Sequence, residues 1–254
     1  MSSRYLKQLL YSLAYVLVLT SFIFGVYYFF LKKPPTCFDG RQNQGEEDVD
    51  CGGPCPSCEI RTLGPLTAAK AFALPAGRDA VSFVAEIRNP NINYGAESFD
   101  YEFVVSGPLG TKASSIKGKS FIYASESKYL LEAPAAMSIR DVSSVEVSLS
   151  NFAWKSRRDF PQPMTTFREI NHRFADNQIS VEGVIVSAET VRLPRVFAGA
   201  ILYGKGGEPL SVSRTELRDV AAFQERFFKI PFPAGINLSD VDQKSTKIFI
   251  ETKK

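Results

Sequence analysis

Histidine and cysteine are scarce in this chain. Its 254 residues include one histidine, His172, so any Ser-His-Asp triad or histidine metal cluster would have to use it. His172 lies in the string REINHRF, which carries no catalytic motif, and it is predicted to lie on a strand edge or on the surface. We therefore predict no catalytic residue and no enzymatic activity.

Basic charge is also scarce outside the N-terminus. The net charge is +3, but residues 1–33 hold four basic residues and no acid. Removing those four from the 30 basic residues leaves 26 against 27 acidic ones. The rest of the chain thus lacks the basic excess that nucleic-acid binding needs, and no nucleic-acid partner is predicted.

Charge is absent from residues 9–31, which form the one long apolar run. As a helix this run would reach about 34 Å, enough to cross a hydrocarbon core of about 30 Å. It ends in YYFFLKKPP, which offers no small-residue site for signal-peptide cleavage. A buried core helix and a cleaved signal peptide are the alternatives. We predict a retained single membrane span after a cytoplasmic tail at 1–8.

Basic residues flank both ends of this span, so they do not fix its orientation. All four cysteines follow the span, within residues 37–58. Clustered cysteines are typical of an oxidising exterior, where disulfides persist. The prediction is a cell-membrane protein with a cytoplasmic N-terminus and its bulk outside the cytoplasm.

The chain after the cysteines alternates short β-rich runs with turn signals. Residues 81–89 (VSFVAEIRN) and 99–105 (FDYEFVV) show a period of two, and no stretch sustains a helical period. This pattern predicts an antiparallel β-sandwich over 63–154.

A second β-rich segment repeats the first. ISVEGVIVS at 179–187 follows VSFVAEIRN by 98 residues, and Tyr129 and Phe227 show the same offset. Several matches at one offset predict a tandem duplication. The predicted fold is therefore mainly β, with an N-terminal transmembrane helix, a disulfide-rich element at 36–59 and two sandwiches. The second sandwich spans 165–254, after a linker at 155–164.

Three short strings carry a resemblance: NPN at 89–91, AILYGKGGEPL at 200–210, and ERFFKIPFP at 225–233. With them, the two segments resemble the small immunoglobulin- or fibronectin-III-like modules of the FxLYD and late-embryogenesis-abundant type in bacterial surface proteins. The resemblance implies binding or spacer modules without catalytic residues.

The cysteine segment reads CFDGRQNQGEEDVDCGGPCPSC and allows three interpretations. Cys37, Cys51, Cys55 and Cys58 could bind zinc, but the long first gap and the oxidising side disfavour it. They could form two disulfides, in any of three pairings. Those disulfides could also hold a calcium loop.

Calcium prefers six to eight oxygen ligands at short spacing. Side-chain oxygens come from Asp39, Asn43, Glu46 and Asp50, and glycines at 40 and 45 allow tight turns. The order departs from the EF-hand pattern. A solvated acidic loop without an ion is the alternative interpretation.

The whole string resembles a cysteine-rich element, C-x-D-G-x-x-N-x-x-E-x-x-V-D-C-G-G-x-C-x-x-C, found beside anchors and between domains of bacterial surface proteins. It is also similar to thrombospondin-type acidic calcium repeats, which implies a calcium cofactor.

Other motifs have structural interpretations. GKGG at 204–207 lacks the phosphate-loop spacing and is predicted to be a hairpin turn, as NPN is predicted to end a strand. The aromatic residues of the β runs are predicted to be core, but neighbours in a strand must face opposite sides, so one of Phe227 and Phe228 is expected to be exposed unless the second sandwich packs on the first. These aromatic residues are Phe152, Trp154, Phe227, Phe228 and Phe232.

These observations favour a membrane-anchored binding or structural protein that presents two β modules to a protein or cell-envelope partner. The alternative is an accessory subunit of a secretion or pilus-type assembly, in which the membrane helix itself makes specific contacts.

Overall fold

A computed structural model describes residues 3–31, 36–77, 79–108 and 112–253. Contacts divide the chain into two compact units, Met1–Leu63 and Gly64–Lys254. The first unit contains helix α1 (Ser3–Val26), a π-helical turn (Tyr27–Leu31) and a 3-10 turn (Cys58–Thr62). The helix thus begins earlier than the predicted span at 9–31.

The span Arg4–Phe29 is long and apolar enough to cross a membrane, and none of it is buried. Two of its hydroxyl groups bond to the helix's own carbonyls: Ser12 donates to Leu9 O and Thr20 donates to Val16 O. Such bonding satisfies hydroxyl groups that would otherwise be costly in hydrocarbon.

The second unit holds twelve strands in two consecutive sets, here called the first and second blocks. The first block comprises β1 (Thr67–Pro75), β2 (Ala80–Arg88), β3 (Tyr94–Ser106), β4 (Lys112–Ile122), β5 (Ser127–Ala136) and β6 (Ser144–Ser156). The second comprises β7 (Thr165–Ala175), β8 (Gln178–Ser187), β9 (Leu193–Tyr203), β10 (Pro209–Val220), β11 (Glu225–Pro231) and β12 (Lys247–Thr252).

Each block contains two antiparallel three-stranded sheets. Their orders are β1-β2-β5 and β4-β3-β6 in the first block, and β11-β8-β7 and β10-β9-β12 in the second. The mainly β fold with one N-terminal apolar helix is therefore confirmed. The linker predicted at 155–164 overlaps β6, which continues to Ser156.

One buried cluster in the first block takes side chains from both of its sheets. Phe83 and Ile87 come from β2, and Phe99 and Phe103 come from β3. The rings of Phe83 and Phe103 lie 6.2 Å apart. Alternate residues of β2 are buried here, as the period of two predicted. The sandwich arrangement itself stays a prediction.

The second block has its own cluster, with residues of β8, β9 and β11. Phe228 is 1% exposed within it, whereas Phe227 is 60% exposed. The two neighbours therefore face opposite sides of β11, as predicted.

A third apolar cluster joins the blocks. Leu74 and Val84 of the first block pack with Ile201 and Val212 of the second. These residues belong to sheets β1-β2-β5 and β10-β9-β12. One face of each of these sheets packs inside its own block, and the opposite face packs against the other block. The two blocks therefore form one compact unit.

A buried lysine lies beside this cluster. Lys128 is 5% exposed, and its Nζ donates to Ser120 Oγ at 3.1 Å, to Phe121 O at 2.9 Å and to Glu251 Oε1 at 3.1 Å. The ammonium also lies 4.0 Å from the centre of the Phe121 ring. Lys128 belongs to β5 of the first block and Glu251 to β12 of the second. This ion pair therefore links the two blocks.

Lys128→Ala is expected to destabilise the protein by about 3 kcal/mol, because it leaves Glu251 without its buried partner. Lys117→Ala is the control, since Lys117 and Glu102 form an exposed pair worth about 0–1 kcal/mol. Denaturant unfolding measures both, and equal small losses would show that the buried pair does not hold the blocks together.

Candidate functional site

Two disulfides organise the cysteine-rich element, residues 36–62. Cys37 bonds to Cys55, and Cys51 bonds to Cys58. The predicted disulfides are confirmed, and the structure selects one of the three pairings. No cysteine is free, so the thiolates that a zinc site needs are not present.

Tight turns connect the disulfides. Gly40 and Gly45 have φ angles of +73° and +84°, in the left-handed region that favours glycine. Asp50 adopts the same region at +57°, which Asp tolerates better than most residues. The acidic side chains are thereby turned towards backbone amides.

Each predicted calcium-binding carboxylate accepts hydrogen bonds from these amides. Asp50 Oδ1 accepts from Asp39 N and Gly40 N, both at 2.9 Å. Glu46 Oε2 accepts from Asn43 N at 3.1 Å and from Asp50 N at 3.3 Å. Bonds between backbone N–H groups and a carboxylate are charge-assisted, so they order a segment that has little apolar surface to bury.

Asp39 accepts a third set of bonds, from Arg41 N at 2.9 Å and Asn43 Nδ2 at 3.0 Å. The bond from Asn43 is the main cause that lowers the pKa of the Asp39 carboxyl. Because the folded pKa is lowered, this contribution to stability is present above the ordinary carboxyl pKa. It is lost as the pH falls through the lowered value.

Glu46 is the buried member of the group, at 7% exposure. Its Oε1 lies 3.1 Å from Cys55 Sγ, and a disulfide sulfur carries no proton to donate. Cys37, Glu46 and Cys55 form the one three-residue group of close ligand atoms in the described part of the chain. Its two sulfurs are bonded to each other, so the group offers one carboxylate.

The four predicted calcium ligands lie in this loop, and Asn43 gives a test of their fit. Its Oδ1 is buried without a hydrogen-bond partner, while its Nδ2 faces Asp39 Oδ2 at 3.0 Å. Rotating the amide by half a turn would set two oxygens about 3 Å apart, as neighbouring ligands of one cation are. Asp39, Glu46 and Asp50 do not form a close group of ligand oxygens among the described residues, so the pair Asp39 and Asn43 is the part of the set that fits, and calcium stays a prediction.

The other residues singled out have structural roles. His172 is half-buried on β7, with Nε2 2.8 Å from Thr246 Oγ1, and burial lowers its pKa. Asn89 ends β2 and donates to Tyr94 O and Tyr123 O. Residues 204–207 form the β9–β10 turn, and Phe152 and Trp154 pack against the first-block cluster.

Two buried charged residues were not predicted, Lys128 and Glu189. Lys128 lies in a β-rich stretch and Glu189 in a loop, and no motif surrounds either residue. Only their contacts with residues far away in the sequence show what each side chain does. Sequence offers no local signal for such residues.

No family model matches this chain, and a search of curated proteins finds no match either. Its function is therefore inferred from its own residues.

Glu46→Ala is expected to open the loop locally, because it removes the acceptor for Asn43 N and Asp50 N. Hydrogen exchange of these two amides should accelerate about tenfold or more, since a lost acceptor costs about 1–3 kcal/mol. Glu59→Ala, at an exposed position of the 3-10 turn, is the control. Unchanged exchange would show that Glu46 does not order the loop.

Proposed function

We propose that this protein is a single-pass membrane protein that holds a rigid pair of β modules outside the cytoplasm for binding or support. One observation carries the proposal: no residue of the apolar span Arg4–Phe29 is buried within the protein. An uncovered apolar surface of this size is costly in water, and a bilayer covers it at no such cost.

The disulfides support the proposed orientation. All four cysteines of the element that follows the helix are oxidised, which is the state that an extracytoplasmic compartment maintains. Arg4 and Lys7 would then lie on the cytoplasmic side, in keeping with the positive-inside rule.

The joined blocks support a binding or structural role. Apolar packing and the Lys128–Glu251 pair make one unit of the two, so bound partners would meet a fixed geometry. Hydrogen bonds recur at an offset of 98 residues, such as Ser125 N to Asn91 O and Phe223 N to Glu189 O. This recurrence supports duplicated modules of the immunoglobulin- or fibronectin-III-like kind, with a protein or envelope component as partner.

An accessory role in a secretion or pilus-type assembly is the second candidate. The helix presents exposed aromatic side chains near its C-terminal end, including Tyr28 and Phe29. Gly25 leaves open space on the same segment, where another helix could approach closely.

Exchanging the helix separates the two candidates. Deleting residues 3–31 is expected to move the protein from the membrane to the soluble fraction. An unrelated apolar helix of equal length should restore membrane retention in alkaline carbonate. A deletion variant that stays in the membrane would contradict the anchor.

Partner capture by chemical crosslinking is then compared between the native and the exchanged helix. An unchanged set of crosslinked partners supports the binding or structural role. Loss of partners with normal membrane retention supports the accessory subunit.

We also propose that the cysteine-rich element binds calcium through Asp39, Asn43, Glu46 and Asp50. The unpartnered Asn43 Oδ1 beside the Asp39 carboxylate supports this assignment. A bound cation would neutralise like charges that otherwise repel each other within a short loop. It would stiffen the connection between the anchor and the β modules.

Calorimetry of the full chain in detergent is expected to show calcium binding at about 10⁻⁴–10⁻³ M, the range of extracellular modules. Asp39→Asn should weaken it markedly. Asp48→Asn is the matched control, since that side chain is 68% exposed and pairs with Arg61. If millimolar calcium produces no heat of binding, the proposal is wrong and the element is a disulfide-bonded acidic loop that binds no calcium.

A further inference from the structure

Four exposed apolar side chains occupy loops of the second unit. Ile92 is 67% exposed in the β2–β3 loop of the first block. In the second block Met164, Val191 and Phe223 are 63%, 50% and 68% exposed. Single exposed apolar residues are ordinary, but several on adjacent loops mark an interaction surface.

Glu189 holds the three second-block loops together. Its Oε1 accepts from Met164 N at 2.6 Å, and its carbonyl accepts from Phe223 N at 3.2 Å. Ala188 N donates to Met164 O at 2.9 Å, and Val191 follows two residues after Glu189. Glu189 is itself 3% exposed, and its buried side chain holds the Met164 loop while its backbone carbonyl holds the Phe223 loop beside Val191.

Further contacts place the loops at the corresponding end of the first block next to these second-block loops. Tyr123 stacks on Phe160 of the linker at 4.5 Å, and its hydroxyl donates to Thr252 O at 2.9 Å. Thr252 Oγ1 donates to Arg195 O, four residues after Val191. The corresponding loop ends of both blocks therefore lie at one end of the unit.

The chain enters the second unit at this same end. Gly64 is the first residue of the unit, and it exchanges two hydrogen bonds of 2.9 Å with the side chain of Asn91. Asn91 precedes the exposed Ile92. The first residue of the second unit thus lies beside the loop that carries Ile92.

Phe223 has an unfavourable backbone conformation. Its φ is +55°, in the left-handed region, where a bulky aromatic residue is an outlier. Ser125 occupies the same turn position 98 residues earlier, at +58°. Because Phe223 is largely exposed, packing within the protein does not explain the aromatic ring. Backbone strain of this kind is concentrated at functional sites.

Two exposed basic residues lie close to the loop that carries Ile92. Arg157 and Arg158 are exposed at the start of the linker, and Arg157 N donates to Asn93 O beside Ile92. One exposed carboxylate lies beside them, Asp159, which accepts from Ser156 Oγ at 2.7 Å, while Glu189 is buried and Asp219 pairs with Arg192 at 3.3 Å. An anionic surface would therefore meet cationic side chains.

We propose that this end of the second unit rests on the lipid surface of the bilayer that holds the apolar helix. Ile92, Met164, Val191 and Phe223 enter the boundary between head groups and acyl chains. Arg157 and Arg158 contact anionic head groups. This inference rests on the proposed anchoring, which keeps the surface at high local concentration, so that shallow insertion suffices.

Tryptophan fluorescence of the full chain tests the proposal. Trp154 is the one native tryptophan, so Phe223→Trp is made in a Trp154→Phe background. The protein is reconstituted in vesicles of phosphatidylcholine and phosphatidylglycerol with brominated acyl chains. Phe223→Trp emission is expected to be blue-shifted and quenched about twofold or more, as for a side chain at the acyl boundary.

Phe174→Trp in the same background is the matched control. Phe174 is 44% exposed and lies nine residues along β7 from Thr165, about 30 Å from the loop tips. Its emission should be unaffected by brominated lipid. Adding Met164→Ser and Val191→Ser to Phe223→Trp should reduce the quenching. The proposal is refuted if a folded Phe223→Trp variant shows no quenching, or if tryptophans at positions 223 and 174 are quenched equally.

Vesicle flotation distinguishes failure of the proposed lipid contact from failure of the proposed membrane anchor. A chain that does not float with vesicles contradicts the proposed membrane anchoring. A chain that floats but shows no quenching at position 223 overturns the lipid contact alone. Phe223→Ser should keep the fold, since serine occupies the equivalent turn at Ser125, and near-normal thermal unfolding checks this.

Discussion

The contact between the two blocks is the constraint on which the second unit depends. Sheets β1-β2-β5 and β10-β9-β12 each bury residues on two faces, one towards their own block and one towards the other. Lys128 and Glu251 reinforce this seam with a buried ion pair. Apolar packing supplies the attraction between the blocks. The Lys128 ammonium favours one relative position of the blocks, because in any other position it would be buried without its hydrogen-bond partners.

This seam also aligns the loop ends of the blocks. With β12 held against Tyr123, the loops around Glu189 lie on the same side as the entry of the chain at Gly64. A flexible connection would let the blocks reorient, and their exposed loop tips would not form one surface. Because the packing between the blocks is rigid, their separate loops form a single face.

The cysteine-rich element follows a different physical principle. It has few apolar side chains, so crossed disulfides and carboxylate–amide bonds order it instead of hydrophobic burial. The same carboxylates that accept amide bonds carry the charge that suits a cation. The local order of the element therefore depends on one set of carboxylates, of which Glu46 is the buried member.

The sequence by itself determined the apolar helix, the mainly β fold and the presence of disulfides, because composition and a period of two are local properties. It also placed Phe227 and Phe228 on opposite faces. Only the tertiary structure decided the disulfide pairing, the seam between the blocks, and the roles of Lys128 and Glu189. These depend on contacts between residues far apart in the chain, and no local pattern records which distant strands meet.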